Sequence, residues 1–271
     1  MAPLAGKLRR LAEAADLTLR LAADGPSRRA LASCYADLGG ALHDGTEMEL
    51  RIRSGRSVRA CRIRRSDVFT LAEIFHEQQY VVRSPVPDAP VIVDAGANVG
   101  LTSLWLAGRY PGAVLHAFEP EEENFRLLEH NLRGLECASA LRMAVGGADG
   151  EILLGISEHG AMHSTSDTTG SVRTVPVRCV RLESYMEEQA MRTVDILKLD
   201  VEGAELDVLH GLGDRIKDIG IIVGEVHERV VDVDAFYRYL SQSGFSNVMR
   251  VPFRDGDAEG VHGFEACRWP A

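Results

Sequence analysis

The sequence predicts an α/β protein with a doubly wound, mostly parallel sheet and an N-terminal extension of helices and a hairpin. Three observations support this fold class. From residue 91 onward, short apolar runs alternate with amphipathic helical stretches, which is the pattern of successive βαβ units. The 271 residues are 45% hydrophobic and 26% charged, as in globular proteins. A chain of this length can bury a large core without disulfides or a structural metal.

Residues 1–85 form the predicted extension. A helix is expected over 4–22 and a second one from residue 27 to about 41. These helices either pack against the main body or a second copy of the chain, or form a lid over a substrate pocket. The first helix carries five apolar residues at helical spacing: Leu4, Leu8, Leu11, Ala15 and Leu19.

Residues 47–65 alternate between apolar and charged side chains around Ser54-Gly55, which predicts a β-hairpin. Its outer face is either a solvated surface that resists edge pairing or a docking patch for an anionic substrate or carrier. That face carries seven arginines: Arg51, Arg53, Arg56, Arg59, Arg62, Arg64 and Arg65.

A second domain is predicted over 86–271, because prolines and polar residues at 85–90 mark a boundary. Two last strands are expected to pair antiparallel at the sheet edge, and residues 151–182 add two alternating segments around a polar linker at 159–170. The strands are predicted at 91–96, 113–119, 140–145, 195–200, 220–226, 247–253 and 263–269. The helices are predicted at 101–110, 123–132, 204–212 and 232–241.

Charge and composition argue against several classes of function. The net charge of −10 disfavours general nucleic-acid binding. The longest strongly apolar runs have three residues, far fewer than the ~20 that span a bilayer, so no membrane contact is expected. Five scattered cysteines without metal-ligand spacing are typical of reduced thiols in a cytoplasmic protein: Cys34, Cys61, Cys137, Cys179 and Cys267.

The strongest motif is DAGANVG, Asp94 to Gly100, which follows a buried strand and opens a helix. Gly96 permits a tight turn and a close approach of backbone to ligand. Nineteen residues after Gly100, Glu119 ends the next strand, where a carboxylate can accept both hydroxyls of a ribose. An aspartate at the first strand end repels a pyrophosphate and suits an ammonium group. The motif therefore favours S-adenosylmethionine over NAD.

Two further motifs place polar residues at the same sheet edge. DILKLDVEGAE puts Asp200, Glu202 and Glu205 at and beyond a strand end, and GEVH ends the next strand with Glu225 and His227 on one side. A histidine beside a carboxylate is a usable general base. Glu205 either belongs to this cluster or caps the following helix.

Other candidates are weaker. His159 and His163 lie four residues apart, but Gly160 and the surrounding serines and threonines argue against a metal-binding helix, so no metal site is predicted there. Substrate contact from a loop remains open for them. The alternatives to a small-molecule enzyme are a nicotinamide-dependent oxidoreductase on the same sheet, and a nucleic-acid methyltransferase or RNA binder that uses the arginine hairpin.

The combination of DAGANVG, FEP with NFRLLEHNL, and DILKLDVEGAELDVLHGL followed by GEVH resembles the FkbM family of methyltransferases. The resemblance covers about Ser66 to His227, with a lead-in segment at 64–80. It implies a class I, Rossmann-like sheet of seven strands with the last one antiparallel. It also implies S-adenosylmethionine as donor and transfer to a hydroxyl of a small molecule, such as a natural product or sugar.

The resemblance also implies residue roles. Glu119 would hold the ribose, and Ala144 and Val145 would border the adenine. The methionine part would be held by Asp94, Gly96, Asn98 and Gly100. The transferred methyl would be surrounded by Asp200, Glu202, Glu225 and His227. Residues 1–46 and 159–170 lie outside the match, and substrate choice is expected there.

For the reaction we expect an in-line attack of a substrate hydroxyl on the methyl carbon. The proton goes to His227 or Asp200, or a divalent cation held by Asp200 and Glu225 lowers the pKa of the hydroxyl. The sequence does not require that cation. A homodimer through the N-terminal helices is one assembly that the sequence allows.

Overall fold

The computed structural model describes residues 10–41, 44–156, 173–251 and 260–268. The linker at 159–170, with His159 and His163, lies outside the described residues. The strands are β1 (Glu47–Ser54), β2 (Ser57–Arg64), β3 (Val91–Ala95), β4 (Val114–Phe118), β5 (Ala138–Leu141), β6 (Ala144–Val145), β7 (Gly150–Ile156), β8 (Arg173–Val180), β9 (Val194–Leu199), β10 (Ile219–His227), β11 (Asn247–Val251) and β12 (Val261–Cys267). The α-helices are α1 (Gly25–Ala36), α2 (Leu38–Ala41), α3 (Val68–Phe75), α4 (Leu101–Arg109), α5 (Glu122–Leu132), α6 (Leu182–Glu188), α7 (Glu205–His210) and α8 (Val233–Gln242).

The central sheet has seven strands in the order β11-β12-β10-β9-β3-β4-β5. Its five strands from β10 to β5 are parallel, whereas β12 runs antiparallel to both β10 and β11. The predicted fold class, with its antiparallel edge pair, is confirmed. Chain order reverses between β3 and β9, and in such sheets the crevice beyond that pair of strand ends is where ligands bind.

The inner strands β3 and β9 are rich in apolar residues, and almost all of their residues are buried. Four of the five residues of β3 and five of the six residues of β9 are buried. Parallel strands covered by helices on both faces have this composition. The core on one face of the sheet is continuous with the N-terminal extension, since Leu31 and Leu71 lie in the same apolar cluster as Ile92 and Leu104.

The prediction of one strand at 140–145 is wrong. This apolar run forms two strands, because a tight turn closed by the Met143 N–H and the Leu141 carbonyl interrupts it. β5 stays in the central sheet, while β6 pairs with β8 in a separate sheet ordered β6-β8-β7. The two alternating segments predicted within 151–182 supply β7 and β8. The turn directs Ala144 and Val145 toward the crevice.

The N-terminal helix buries a different face from the predicted one. Residues 10–16 are α-helical and continue into a π-helical turn, Leu17–Leu21. A π-helical turn contains more residues than an α-helical turn, and this changes which side chains face the core. Leu17 and Leu21 are buried, whereas Leu11 and Leu19 are 66% and 65% exposed. A homodimer through these helices stays a prediction.

The predicted hairpin is confirmed as β1 and β2, which turn at Gly55 and Arg56. Several of its arginines are paired within the chain. Arg62 contacts Glu49, Arg64 contacts Asp67 and Asn124, and Arg65 contacts Asp44. Among the described residues, none of the helices has the length and apolar character needed to cross a bilayer.

Asn131 on α5 joins the hairpin to the central sheet. Its side chain accepts from the Arg62 N–H at 2.6 Å and donates to the carbonyls of Arg62 at 2.8 Å and Val99 at 2.7 Å. Asn131→Ala should lower the free energy of unfolding by about 1–3 kcal/mol, because it leaves buried polar groups unpaired. Urea denaturation measures the change, with Gln242→Ala at the exposed end of α8 as control. Equal stability of the two variants would contradict this role.

Candidate active site

The turn after β3 brings three strand ends together. The N–H groups of Gly96 and Ala97 donate to the Phe118 carbonyl at the end of β4, at 3.1 and 2.8 Å. Gly96 has a φ of 78°, and a Cβ there would lie 1.8 Å from the Asp200 carbonyl oxygen beyond β9. Only glycine fits so close to a second backbone. Gly100, with a φ of 87°, then begins α4.

A cleft at this edge opens to solvent, and its lining combines apolar and polar side chains, as in small-molecule sites. It gathers several of the predicted residues, which follow β3 and β4 or lie in β6, together with two acids that follow β9. Its lining comprises Gly96, Asn98, Phe118, Glu119, Pro120, Asn124, Met143, Ala144, Val145, Leu154, Asp200, Val201 and Glu202. We refer to it as the nucleoside cleft, because it combines an apolar wall with a carboxylate.

Glu119 is held in the cleft by backbone groups. Its two carboxylate oxygens accept from the N–H groups of Asn98 and Glu121, each at 2.9 Å. Burial raises the pKa of Glu119 to about 7, although these two hydrogen bonds oppose the shift. The carboxyl group is therefore partly protonated at neutral pH.

Asp94 lies beneath the cleft and is not among the residues that line it. Its side chain is fully buried, accepts from Ser103 Oγ at 2.6 Å, and lies 3.3 Å from Lys198 Nζ. Lys198 in turn donates to the Gly96 carbonyl at 2.6 Å. Asp94 thus supports the glycine turn through a buried lysine. Gly100 is also absent from the cleft lining.

Asp94→Asn should lower the free energy of unfolding by about 3–5 kcal/mol, because it leaves the charge of Lys198 less well paired in a buried site. Ser103→Ala removes only one neutral donor and should cost about 1 kcal/mol. Urea denaturation followed by circular dichroism separates the two variants. A small loss in Asp94→Asn would show that Asp200 alone balances the lysine.

A second cavity, here called the acceptor cavity, lies between the extension and the same strand ends. Gly96, Asn98, Asp200 and Glu202 line both cavities, so the two meet at these residues. The remaining lining of the acceptor cavity comprises Thr70, Glu73, Ile74, Gln79, Tyr80, Ala97, Val99, Leu101, Thr102, Lys198 and Glu225.

Tyr80 ties the extension to the sheet edge. Its hydroxyl donates to Asp200 Oδ2 at 2.9 Å and lies 2.6 Å from Glu225 Oε1, which also accepts from Gln79 at 2.5 Å. Burial and the neighbouring Asp200 charge raise the pKa of Glu225 well above its usual range. Burial likewise raises the pKa of Tyr80. The floor of the acceptor cavity is therefore a buried network of carboxyl and hydroxyl groups.

His227 lies between two carboxylates. Its Nδ1 is 2.7 Å from Glu205 Oε1, and its Nε2 is 3.1 Å from Glu202 Oε2. Burial lowers the pKa of His227, but the hydrogen bonds with Glu202 and Glu205 outweigh burial and raise it to about 11. Glu205 is fully buried and also accepts from the Gly203 N–H at 3.0 Å. Glu205 therefore belongs to this cluster.

Sequence reasoning missed three residues of the site. Lys198 interrupts an apolar strand and is one of only three lysines in an arginine-rich chain, a signal that could have marked it. Its Nζ lies 5.2 Å from the centre of the Tyr80 ring. Nothing in the local sequence distinguishes Gln79 or Tyr80, because their position depends on how the extension packs.

The strand order is that of the class I, Rossmann-like methyltransferase fold. The solved structure of methyltransferase FkbM from Methylobacillus flagellatus KT has this fold, with a TM-score of 0.53 at 15% identity. The alignment covers 97% of this chain and 60% of that one. At this level of identity the likeness shows the fold alone.

The family follows from the sequence comparisons. Residues 94–246 match the methyltransferase FkbM domain. Methyltransferase 1 of Beauveria bassiana is 30% identical over 207 residues, which cover 68% of this chain and 83% of the relative. The 31-O-demethyl-FK506 methyltransferase FkbM of Streptomyces tacrolimicus is 27% identical, with coverages of 59% and 74%. The chain belongs to the FkbM methyltransferase family, which confirms the predicted family and enzyme class.

Proposed function

We propose that this methyltransferase transfers a methyl group from S-adenosylmethionine to a hydroxyl oxygen of a small molecule. The observation that carries the proposal is the meeting of two cavities at Asp200 and Glu202. One cavity suits a nucleoside and the other suits a polar acceptor. A donor and an acceptor bound in them would face each other at these carboxylates.

The nucleoside cleft fits S-adenosylmethionine. Its apolar wall at Ala144 and Val145 suits an adenine, and Glu119 is placed for the ribose. Asn98 Oδ1 is buried and has no hydrogen-bond partner among the described residues, so it can accept from the ammonium of the methionine part. When bound, this cofactor supplies a methyl whose C–S bond breaks as the C–O bond forms, with the electron pair remaining on sulfur.

The chain contributes alignment and a proton acceptor. Holding the acceptor hydroxyl in line with the methyl carbon can lower the activation barrier by about 7–11 kcal/mol. We infer that Asp200 accepts the hydroxyl proton, because it lines both cavities. His227 lines neither cavity, and both of its ring nitrogens already contact carboxylates. Glu225 supports Asp200 through Tyr80.

A small-molecule acceptor is favoured over a nucleic acid. Three of the seven hairpin arginines are paired with acids within the chain, and the acceptor cavity is lined by four acids and one lysine. The relative from Streptomyces tacrolimicus is named for a 31-O-demethyl natural product, which supports an oxygen acceptor of that kind. The same acids disfavour the phosphates of NAD.

Calorimetry and a transfer assay test the proposal. S-adenosylhomocysteine should bind the full chain at one site, and NADH should not. Methyl-labelled S-adenosylmethionine should transfer label to hydroxyl compounds in a panel of sugars and polyketides, and not to RNA. Binding of NADH in preference to S-adenosylhomocysteine, or labelling of RNA alone, would overturn the proposal.

A further inference from the structure

Asp200, Glu202 and His227 form a compact set of metal-ligand types. One ligand atom from each residue lies within 4.8 Å of the others. Two carboxylate oxygens and an imidazole nitrogen are ligands that divalent cations such as Mn²⁺ accept. The three side chains are 21%, 28% and 14% exposed, and two of them, Asp200 and Glu202, line both cavities.

Glu205 holds the histidine in a ligating orientation. It contacts His227 Nδ1, which leaves Nε2 facing Glu202 at 3.1 Å. A carboxylate on the far nitrogen of a ligating histidine is the usual outer-shell partner in metal sites. Glu205 is fully buried, and its second carboxylate oxygen, Oε2, has no hydrogen-bond partner among the described residues. The burial of this carboxylate is an observation independent of the three ligands.

The charges around the set favour a cation. Lys198 lies 3.3 Å from Asp94 and 3.5 Å from Asp200, so one lysine serves two carboxylates. His227 likewise contacts two carboxylates, Glu202 and Glu205. Four carboxylates, Asp94, Asp200, Glu202 and Glu205, thus contact only two basic side chains, Lys198 and His227. A divalent cation that displaces the proton from His227 Nε2 to solvent would offset that excess. The carboxylates at this edge are Asp94, Asp200, Glu202, Glu205 and Glu225.

We propose that Asp200, Glu202 and His227 bind one divalent cation of the Mn²⁺ type, and that Glu205 is a positioning residue for His227. The cation would lie where the two cavities meet and would lower the pKa of an acceptor hydroxyl that contacts it. This ligand set differs from the Asp200–Glu225 pair expected from the sequence. Glu225 is not included, because its Oε1 already accepts from both Tyr80 and Gln79. This role of the cation rests on the proposed methyl transfer, whereas its binding does not.

Electron paramagnetic resonance of free Mn²⁺ titrated into the full chain tests the site. We expect one Mn²⁺ per chain, with affinity reduced at least tenfold in Asp200→Asn and in Glu202→Gln. Glu205→Gln should weaken binding by about 10–100-fold, the effect of an outer-shell partner. Glu188→Gln, which removes an exposed acid at the end of α6, should leave Mn²⁺ affinity unchanged. Absence of bound Mn²⁺, or equal affinity in all variants, would overturn the proposal.

Parallel measurements separate this inference from the proposed function. Thermal unfolding of each variant, followed by circular dichroism, identifies any that fails to fold. Glu202 is partly exposed, so Glu202→Gln is the variant whose fold should change least. If methyl transfer proceeds in EDTA and Mn²⁺ does not bind, only the metal inference fails. If Mn²⁺ binds but S-adenosylhomocysteine does not, the proposed function fails and the metal site stands.

Discussion

Asp200→Asn should reduce methyl transfer at least a hundredfold while the chain still folds and binds S-adenosylhomocysteine. The residue lines both cavities, accepts from the Tyr80 hydroxyl and lies 3.5 Å from Lys198 Nζ. An amide keeps the shape of the side chain but cannot accept the hydroxyl proton, and proton acceptance in such reactions is worth about 10²–10⁴-fold. The loss should fall on kcat.

Measuring the binding of S-adenosylhomocysteine distinguishes the loss of a proton acceptor from a loss of structure. The dissociation constant for S-adenosylhomocysteine, measured by calorimetry, should change by about tenfold or less, the effect of one hydrogen bond. Asp214→Asn, at an exposed position after α7, is the matched control and should leave both quantities unchanged. Methyl transfer at the parent rate in Asp200→Asn would remove Asp200 from the chemistry.

The sequence was sufficient to predict the central sheet because its strands depend on local composition. β3, β9 and β10 are rich in apolar residues, and each is followed by a glycine or a charged residue. The split of 140–145 was not predictable in the same way, since both halves are apolar. Which half joins which sheet depends on the distant β8, which pairs with Ala144 and Val145.

The residues of the candidate site likewise differ in whether the local sequence is sufficient to predict their positions. Glu119 and Asp200 line the nucleoside cleft, as the motifs indicated, because the carboxyl ends of parallel strands meet at one edge. Ala144 and Val145, which only the family resemblance placed there, line the cleft from β6 of the separate sheet. The burial of Asp94 could not be read from DAGANVG, since it depends on Lys198 reaching across from β9. Gln79 and Tyr80 come from the extension, and only its tertiary packing brings them to Glu225.

Glu119→Gln should raise the dissociation constant for S-adenosylhomocysteine at least tenfold. A ribose diol can donate two hydrogen bonds to an ionised carboxylate, each worth about 1.5–3 kcal/mol, and about 1.4 kcal/mol corresponds to a factor of ten. The amide oxygen is a single neutral acceptor. Glu122→Gln, an exposed change at the start of α5, supplies the control and should bind like the parent chain.

The pH dependence of S-adenosylhomocysteine binding provides a second test of Glu119. Because the pKa of Glu119 is raised to about 7 by burial, the carboxyl group is mostly protonated at pH 6 and mostly ionised at pH 8. The ribose hydroxyls favour the ionised form, so binding should release a proton and affinity should rise about tenfold across that interval. Calorimetry in buffers of different ionisation enthalpy measures both quantities. In Glu119→Gln the pH dependence and the proton release should vanish together, and their persistence would mean that another acid in the cleft holds the ribose.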